Sequence, residues 1–317
     1  MILHHNKNNS KPAPSFKVPA WIPVTIKLLE KAFPKLALKL ALKIFFRPIP
    51  FKTPPKELKW QRKASVKTLY ADGLPFTVYR WNKKGKKILL VHGWSGRGTQ
   101  FYKLIKKLLE KGYQPIAIDA PGHGRFPSKF TDLVKFIQAI EVTSASYGPF
   151  YAMVGHSLGG VAIANAAHGK VHALKLVIIA SPARISYTVR DFCVRIGASS
   201  TTQTALYKKL EQLYGTKIHQ YSLAEVVKGL SMPGLIIHDT DDEDVSYAEA
   251  IEIHNHWPGS RLHTTSGLGH RRVLRDKAVI KRILRFLDKN PELKSLTDQQ
   301  IRYLIPKRKQ DDSNPNS

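Results

Sequence analysis

Between Phe150 and His168 an apolar run, Phe150 to Val154, meets Gly155-His156-Ser157-Leu158-Gly159-Gly160 and passes into a segment of alanines and aliphatics. The run reads as a buried strand from Phe150 to His156, and Leu158 to His168 as the helix that follows it. A serine at such a junction sits on a turn so tight that the residues two before and two after can carry almost no side chain. Gly155 and Gly159 meet that steric need, and the small residues Gly160, Ala162 and Ala164 let the helix approach the sheet closely. The chain is restricted here to strand, sharp turn and helix, with the Ser157 hydroxyl pushed into solvent above a sheet.

The rest of the chain repeats that alternation. Val66 to Tyr70 and Leu74 to Trp81 form a hairpin about Ala71-Asp72-Gly73. Strands are predicted at Lys86 to His92, Gln114 to Asp119, Ala173 to Ala180, Gly234 to His238 and Arg261 to Thr265. Helices are predicted at Thr99 to Lys111, Lys129 to Tyr147, Ser246 to His256 and Arg272 to Asp288. This is an α/β pattern, a mostly parallel sheet with helices on both faces. Pro182 to Met232 breaks it with helical patches, Leu206 to Tyr214 and Leu223 to Leu230. Its length suits a small helical lid over the edge of the sheet where such folds bind ligands. Tyr187, Phe192, Leu206 and Leu213 in it suit either an acyl pocket or simple packing. The division expected is a basic extension over 1–65, a catalytic domain over 66–289 with its lid at about 182–232, and a C-terminal extension over 290–317 whose end is disordered.

Charge is concentrated at the ends of the chain. Of 51 Lys and Arg against 23 Asp and Glu among 317 residues, residues 1–66 hold 14 against 2 and residues 271–310 hold 13 against 4. Lys35, Lys39, Lys43 and Arg47 recur every fourth residue among Leu36, Leu38, Leu40, Leu42, Ile44, Phe45 and Phe46, which places the cations in one sector of an amphipathic helix of about three turns. Pro34 separates it from a segment running Trp21 to Phe33, and Pro48 and Pro50 stop it. Two readings stand: its apolar face packs on the protein's own body, or it binds an anionic membrane surface. Nucleic acid is disfavoured as a partner, because no recognition motif accompanies the charge. Cys193 is the sole cysteine, which excludes an intramolecular disulfide framework and fits a reducing compartment. Met1 to Lys17 carries no apolar core of a signal peptide, and the longest uncharged stretch is broken at Gly148-Pro149 and Gly155-His156-Ser157. The expected location is cytoplasmic, free or peripheral on the inner membrane surface.

A serine hydroxyl is a poor nucleophile without a base and an acid to orient it. The histidine is expected in a loop after the last strand, where Gly267-Leu268-Gly269-His270 lies. His254 and His256 fall late in a helix, and His263 within a strand. The acid is expected beyond the strand that follows the lid, where His238-Asp239-Thr240-Asp241-Asp242-Glu243-Asp244-Val245 supplies several candidates. An oxyanion hole needs inward backbone N–H groups. One is that of Leu158, and the other belongs to the loop Val91 to Gly98, where His92 reads as a structural pin.

HGWSGRG, DAPGHG, GHSLGG, the HDTDDEDV segment and GLGH resemble, in order and spacing, the α/β-hydrolase family and its serine-nucleophile esterase and lipase branch. The resemblance covers about Val66 to Lys289 and implies the α/β-hydrolase fold. Its Asp-x-x-Val pattern implies Asp242 as the acid, with Asp239 as fallback, and Trp94 as the second oxyanion donor; the DAPGHG loop receives no catalytic role. Relatives that open epoxides or remove halide carry aspartate where Ser157 stands, so the resemblance implies acyl transfer to water. Ser157 would attack, His270 would shuttle the proton, and Asp242 would hold the imidazole. Carboxyl esters of small molecules are the expected substrates, with thioesters, lactones and carbon–carbon bonds as alternatives. No cofactor and no metal is implied. A non-catalytic binding protein of the same fold is the rival, and the complete set of catalytic residues argues against it.

Overall fold

The computed structural model describes residues 18–128 and 130–289. Helices α1 (Trp21–Ala32), α2 (Pro34–Phe45) and α3 (Pro55–Arg62) precede a hairpin of β1 (Ser65–Ala71) and β2 (Leu74–Arg80). There follow β3 (Lys87–Val91), α4 (Tyr102–Glu110), β4 (Gln114–Asp119), α5 (Leu133–Tyr147), β5 (Ala152–His156), α6 (Leu158–His168) and β6 (Leu176–Ile179). Three helices, α7 (Ile185–Arg195), α8 (Ser200–Tyr214) and α9 (Leu223–Val226), stand between β6 and β7 (Gly234–Asp239). The described chain closes with α10 (Tyr247–His256), β8 (Ser260–Thr265), α11 (Gly269–Arg272) and α12 (Lys277–Asp288).

All eight strands join one sheet in the order β1-β2-β4-β3-β5-β6-β7-β8, antiparallel through β1, β2 and β4 and parallel from β4 to β8. Side chains alternate across it. Leu89, Val91, Ile116, Ile118 and Met153 face a core shared with Phe136, Ile140 and Ile163. Ile88, Leu90, Ala117 and Val154 face the other, closed by Leu104, Leu108, Ile280 and Ile283. Both faces are thus buried, and the central strands are continuously apolar for that reason. Because β4 lies on one side of β3 and β5 on the other, the strand order reverses there. The carboxyl ends of β3 and β5 diverge into a crevice, the place where such sheets bind ligands.

Several expectations change in detail. The helix predicted over Arg272 to Asp288 is broken, because the Asp276 carboxylate caps α12 by accepting from the Ala278 and Val279 amides at 2.8 and 2.9 Å. The helix predicted from Lys129 starts at Leu133, where Asp132 caps it. The interval after Pro182 contains a helix not predicted, α7. Pro34 does separate two helices, yet they fold back on each other and on the lid: Ala41, Ile22, Ile26 and Phe46 are buried against Val189, Cys193, Ile196, Leu206 and Leu210. The inner face of α2 is therefore spent on the protein's own body. Among the lid residues singled out, Leu206 and Phe192 belong to this packing, Phe192 lying 5.0 Å from Phe45, while Leu213 is exposed. Packing on the hairpin, not an acyl pocket, explains Leu206 and Phe192, and Leu213 faces solvent. The disorder predicted for the C-terminal end falls outside the described residues. No helix of the described residues is long and apolar enough to cross a membrane.

Candidate active site

Ser157 occupies the junction of β5 and α6 with φ 52° and ψ −122°, a conformation costly for a residue with a side chain. The surroundings enforce it. A Cβ at Gly155 would stand 2.4 Å from the Gly159 carbonyl oxygen, and one at Gly159 would stand 2.3 Å from that of Val91. The Ser157 amide donates to the Ile179 carbonyl at 2.9 Å, fastening the turn to the neighbouring strand.

His270 is the second residue of the short α11, just beyond β8. Its Nδ1 lies 2.8 Å from Asp242 Oδ2, and its ring centroid lies 4.7 Å from that of His156, the residue preceding the serine. His156 Nε2 donates to the His270 carbonyl at 2.8 Å, tying the histidine loop to the elbow. Burial pushes the His156 imidazole down to about 3, so it is neutral and serves as a fixed donor. Among the described residues no hydrogen bond joins Ser157 Oγ to His270; in hydrolytic sites without substrate this contact is commonly long. The Nδ1 contact leaves Nε2 as the unprotonated nitrogen of the neutral ring.

The Asp242 side chain is wholly buried. Burial alone would raise its carboxyl, but His238 and His270 on one oxygen outweigh it, and the Asp244 and Val245 amides donate to the other at 2.8 and 3.0 Å. Together they hold it well below the usual carboxylate range, so it carries a charge opposite His270. Asp239 lies elsewhere. Its two oxygens accept from the amides of Asp241, Leu268 and Gly269 and from the Thr265 hydroxyl, shaping the loop that presents His270 without touching the imidazole. The fallback acid is thus a loop organiser.

The β3 loop runs beside the serine: a Cβ at Gly93 would stand 2.8 Å from that of Ser157. The Trp94 and Leu158 amides donate no hydrogen bond among the described residues. Leu158 opens α6, so its N–H is one of the unpaired donors at a helix N-terminus. His92 pins the loop: its Nε2 accepts from the Ala120 amide at 3.0 Å and its Nδ1 donates to the Gly93 carbonyl at 2.7 Å, with burial holding the ring neutral. His254 bonds Ser260 Oγ at 2.7 Å and His256 the Glu252 carbonyl at 2.8 Å, and neither pairs with a residue of the Ser157 turn. A cleft of about 220 Å³ flanks the loop on the side of Ser95 to Arg97, under residues 47–53.

Two contributors escaped the sequence. His238, next to last in β7, stands 3.4 Å from Asp242 and donates to the Val245 carbonyl at 2.9 Å. Arg195, on α7, reaches Asp244 Oδ1 and the Glu243 carbonyl, both at 3.1 Å. His238 opens the HDTDDEDV segment, where the carboxylates draw the reading, and Arg195 belongs to no motif and is brought in by the lid. Asp242, Asp244 and His270 have ligand atoms within 4.8 Å of one another, but Arg195 already pairs with Asp244 and the His270 Nδ1 is engaged by Asp242. The donor set is that of an internal hydrogen-bond and ion-pair network rather than a cation cage.

The model of the alpha/beta hydrolase family matches residues 88–282, more than half of the chain. The chain belongs to that family. A serine hydrolase-like protein of Dictyostelium discoideum is 27% identical over 154 residues, 46% of this chain and 42% of the relative. A pimeloyl-(acyl-carrier protein) methyl ester esterase of Xanthomonas campestris is 32% identical over 100 residues, 32% of this chain and 38% of the relative. The chain spans less than half the length of these curated relatives in the matched regions. Among solved structures, an esterase from Exiguobacterium antarcticum superposes with a TM-score of 0.56 at 16% identity, covering 71% of this chain and 100% of that one. At that identity the likeness carries the fold.

Proposed function

We propose that this hydrolase-family protein cleaves carboxylic esters through an acyl-enzyme on Ser157. The observation that carries the reading is the strained Ser157 turn standing beside a His270 imidazole already bonded to the buried, ionised Asp242. Ser157 Oγ attacks the acyl carbon while His270 Nε2 takes its proton. The carbonyl electrons move onto an oxygen facing the Trp94 and Leu158 amides, each such donor being worth about 10²- to 10³-fold in rate. As the tetrahedral species collapses, the bond to the alcohol oxygen breaks and His270 returns the proton to it. Water, deprotonated by the same nitrogen, then splits the acyl-enzyme and restores Ser157. Asp242 keeps the proton on Nδ1 and offsets the imidazolium charge formed at each step.

The family membership and the relatives named serine hydrolase-like protein and methyl ester esterase support the reaction class. The test is fluorophosphonate labelling with turnover of short and long p-nitrophenyl esters by the wild type and Ser157→Ala. The wild type is expected to label at Ser157, and the variant to lose label and about 10⁴-fold or more in turnover. Equal turnover, or label elsewhere, would remove Ser157 from the chemistry.

A further inference from the structure

Trp21, Val24 and Leu28 on α1, Phe33 at the turn and Leu36 on α2 all stand half or more in solvent. The first three follow the spacing of one helical stripe. Lys27, Lys31, Lys35, Lys39 and Lys43 are exposed around them, and the last four form no ion pair among the described residues. Glu30, the single acid between residues 18 and 56, is turned the other way, accepting from the Ser199 amide and hydroxyl at 2.8 Å each. The outer face of the hairpin is therefore apolar and purely cationic, while its inner face is occupied by the lid.

We propose that this outer face docks on an anionic lipid bilayer, with Trp21, Leu28 and Phe33 entering the headgroup boundary and the lysines lying on phosphates. Charge complementarity selects that occupant. A second copy would bring one cationic face against another. A nucleic acid duplex would use the lysines and leave the Trp21, Leu28 and Phe33 side chains in water.

The same piece of chain reaches the active site. Beyond α2 a strap runs over the loop next to Trp94, where the Ile49 amide donates to Ser95 Oγ at 2.8 Å. Arg97 donates to the Phe51 carbonyl and to Thr53 Oγ1 at 3.2 and 3.1 Å. The Arg271 guanidinium, next to His270, lies 5.7 Å from the Phe51 ring. Docking of the hairpin sets this strap and the lid at the bilayer, so the substrate class is an acyl ester resident in the membrane. That last clause rests on the ester-hydrolase reading of Ser157; the docking itself does not.

The experiment is co-sedimentation of the full chain with phosphatidylcholine vesicles, alone and with about 30% phosphatidylglycerol, at low and high salt. Trp21→Ser/Leu28→Ser and Lys31→Ala/Lys35→Ala/Lys39→Ala are run beside the wild type. Binding is expected on the anionic vesicles alone and to weaken with salt. The triple variant is expected to lose on the order of 100-fold in partition, about fivefold per cation. Both variants should keep wild-type turnover of p-nitrophenyl acetate, which certifies their folding. Binding indifferent to anionic lipid or to either variant overturns the proposal. So does a wild-type dimer that Leu28→Ser dissociates, or salt-steep duplex binding without vesicle binding. Loss of wild-type ester turnover with intact vesicle binding would strike the ester reading alone.

Discussion

Asp239 and Asp242 are separated by a single turn of chain at the end of β7, yet they do different work. Asp239 gathers amides from the loop that holds His270, and Asp242 meets the imidazole. On the proposed roles, Asp242→Asn keeps the shape of the pair but removes the charge and favours the wrong tautomer, so kcat is expected to fall by about 10⁴-fold with KM little changed; steady-state kinetics on a p-nitrophenyl ester checks it. Glu249 on α10 makes a prediction about pH. Its Oε2 accepts from the Ala183 amide at 2.8 Å, and burial pushes its carboxyl up to about 7. In the unfolded chain the same group ionises near 4.5. Its contribution to stability is therefore intact below that value and is lost as pH rises to about 7. Glu249→Gln retains an acceptor and removes the titration. Relative to the wild type it is expected to gain stability between pH 5 and 8, by up to about 3 kcal/mol. Urea unfolding at the two pH values reads this, and an unchanged difference would mean Glu249 is ionised in the folded protein.

At the scale of elements, the turn carrying Ser157 is held by backbone that leaves no room for a side chain: a Cβ at Gly159 would stand 2.3 and 2.5 Å from the Val91 and His92 carbonyl oxygens. Gly159→Ala is expected to push α6 off β3, costing both fluorophosphonate labelling and folded yield. Asp276→Ala is expected to lose about 1 kcal/mol of stability, the worth of a helix cap, with turnover at saturation kept. The two cases also show what was readable beforehand. The elbow was legible because its glycines, serine and small residues are a local steric requirement, and Gln114 to Asp119 and Leu158 to His168 were read with the bounds the structure gives. The Asp276 cap was not, since the apolar periodicity of Arg272 to Asp288 runs through it and hides the break. The contacts of Arg195 with the acid loop and of Ile49 with Ser95 join residues 49 and 46 positions apart, and no local pattern encodes such a meeting. His270 and Asp242 could be nominated from the sequence through loop position and family spacing; their 2.8 Å approach is a product of the sheet, which sets β7 beside β8.

Over the whole molecule the balance of 51 cations against 23 anions acts as a self-repulsion that packing must overcome. Ion pairs do little to relieve it. Lys107 with Glu110 and Lys111 with Asp288 are about half exposed, and solvent and salt screen pairs of that kind until they contribute little. The buried pair of Glu57 with Arg97 is shielded from added salt. Raising ionic strength from about 0.01 M to 0.15 M shortens the Debye length from about 30 to about 8 Å, which screens repulsion across the surface far more than it weakens contacts at 3 Å. The melting temperature is therefore expected to rise with sodium chloride, by roughly 2–4 °C for each kcal/mol relieved in a chain of this size. Vesicle docking through the hairpin is expected to weaken over the same range, since it draws on the same cations. The two responses must carry opposite signs. A melting temperature that falls with salt would mean that surface pairing outweighs repulsion, and the excess of positive charge would then be locally compensated rather than held in reserve for a partner.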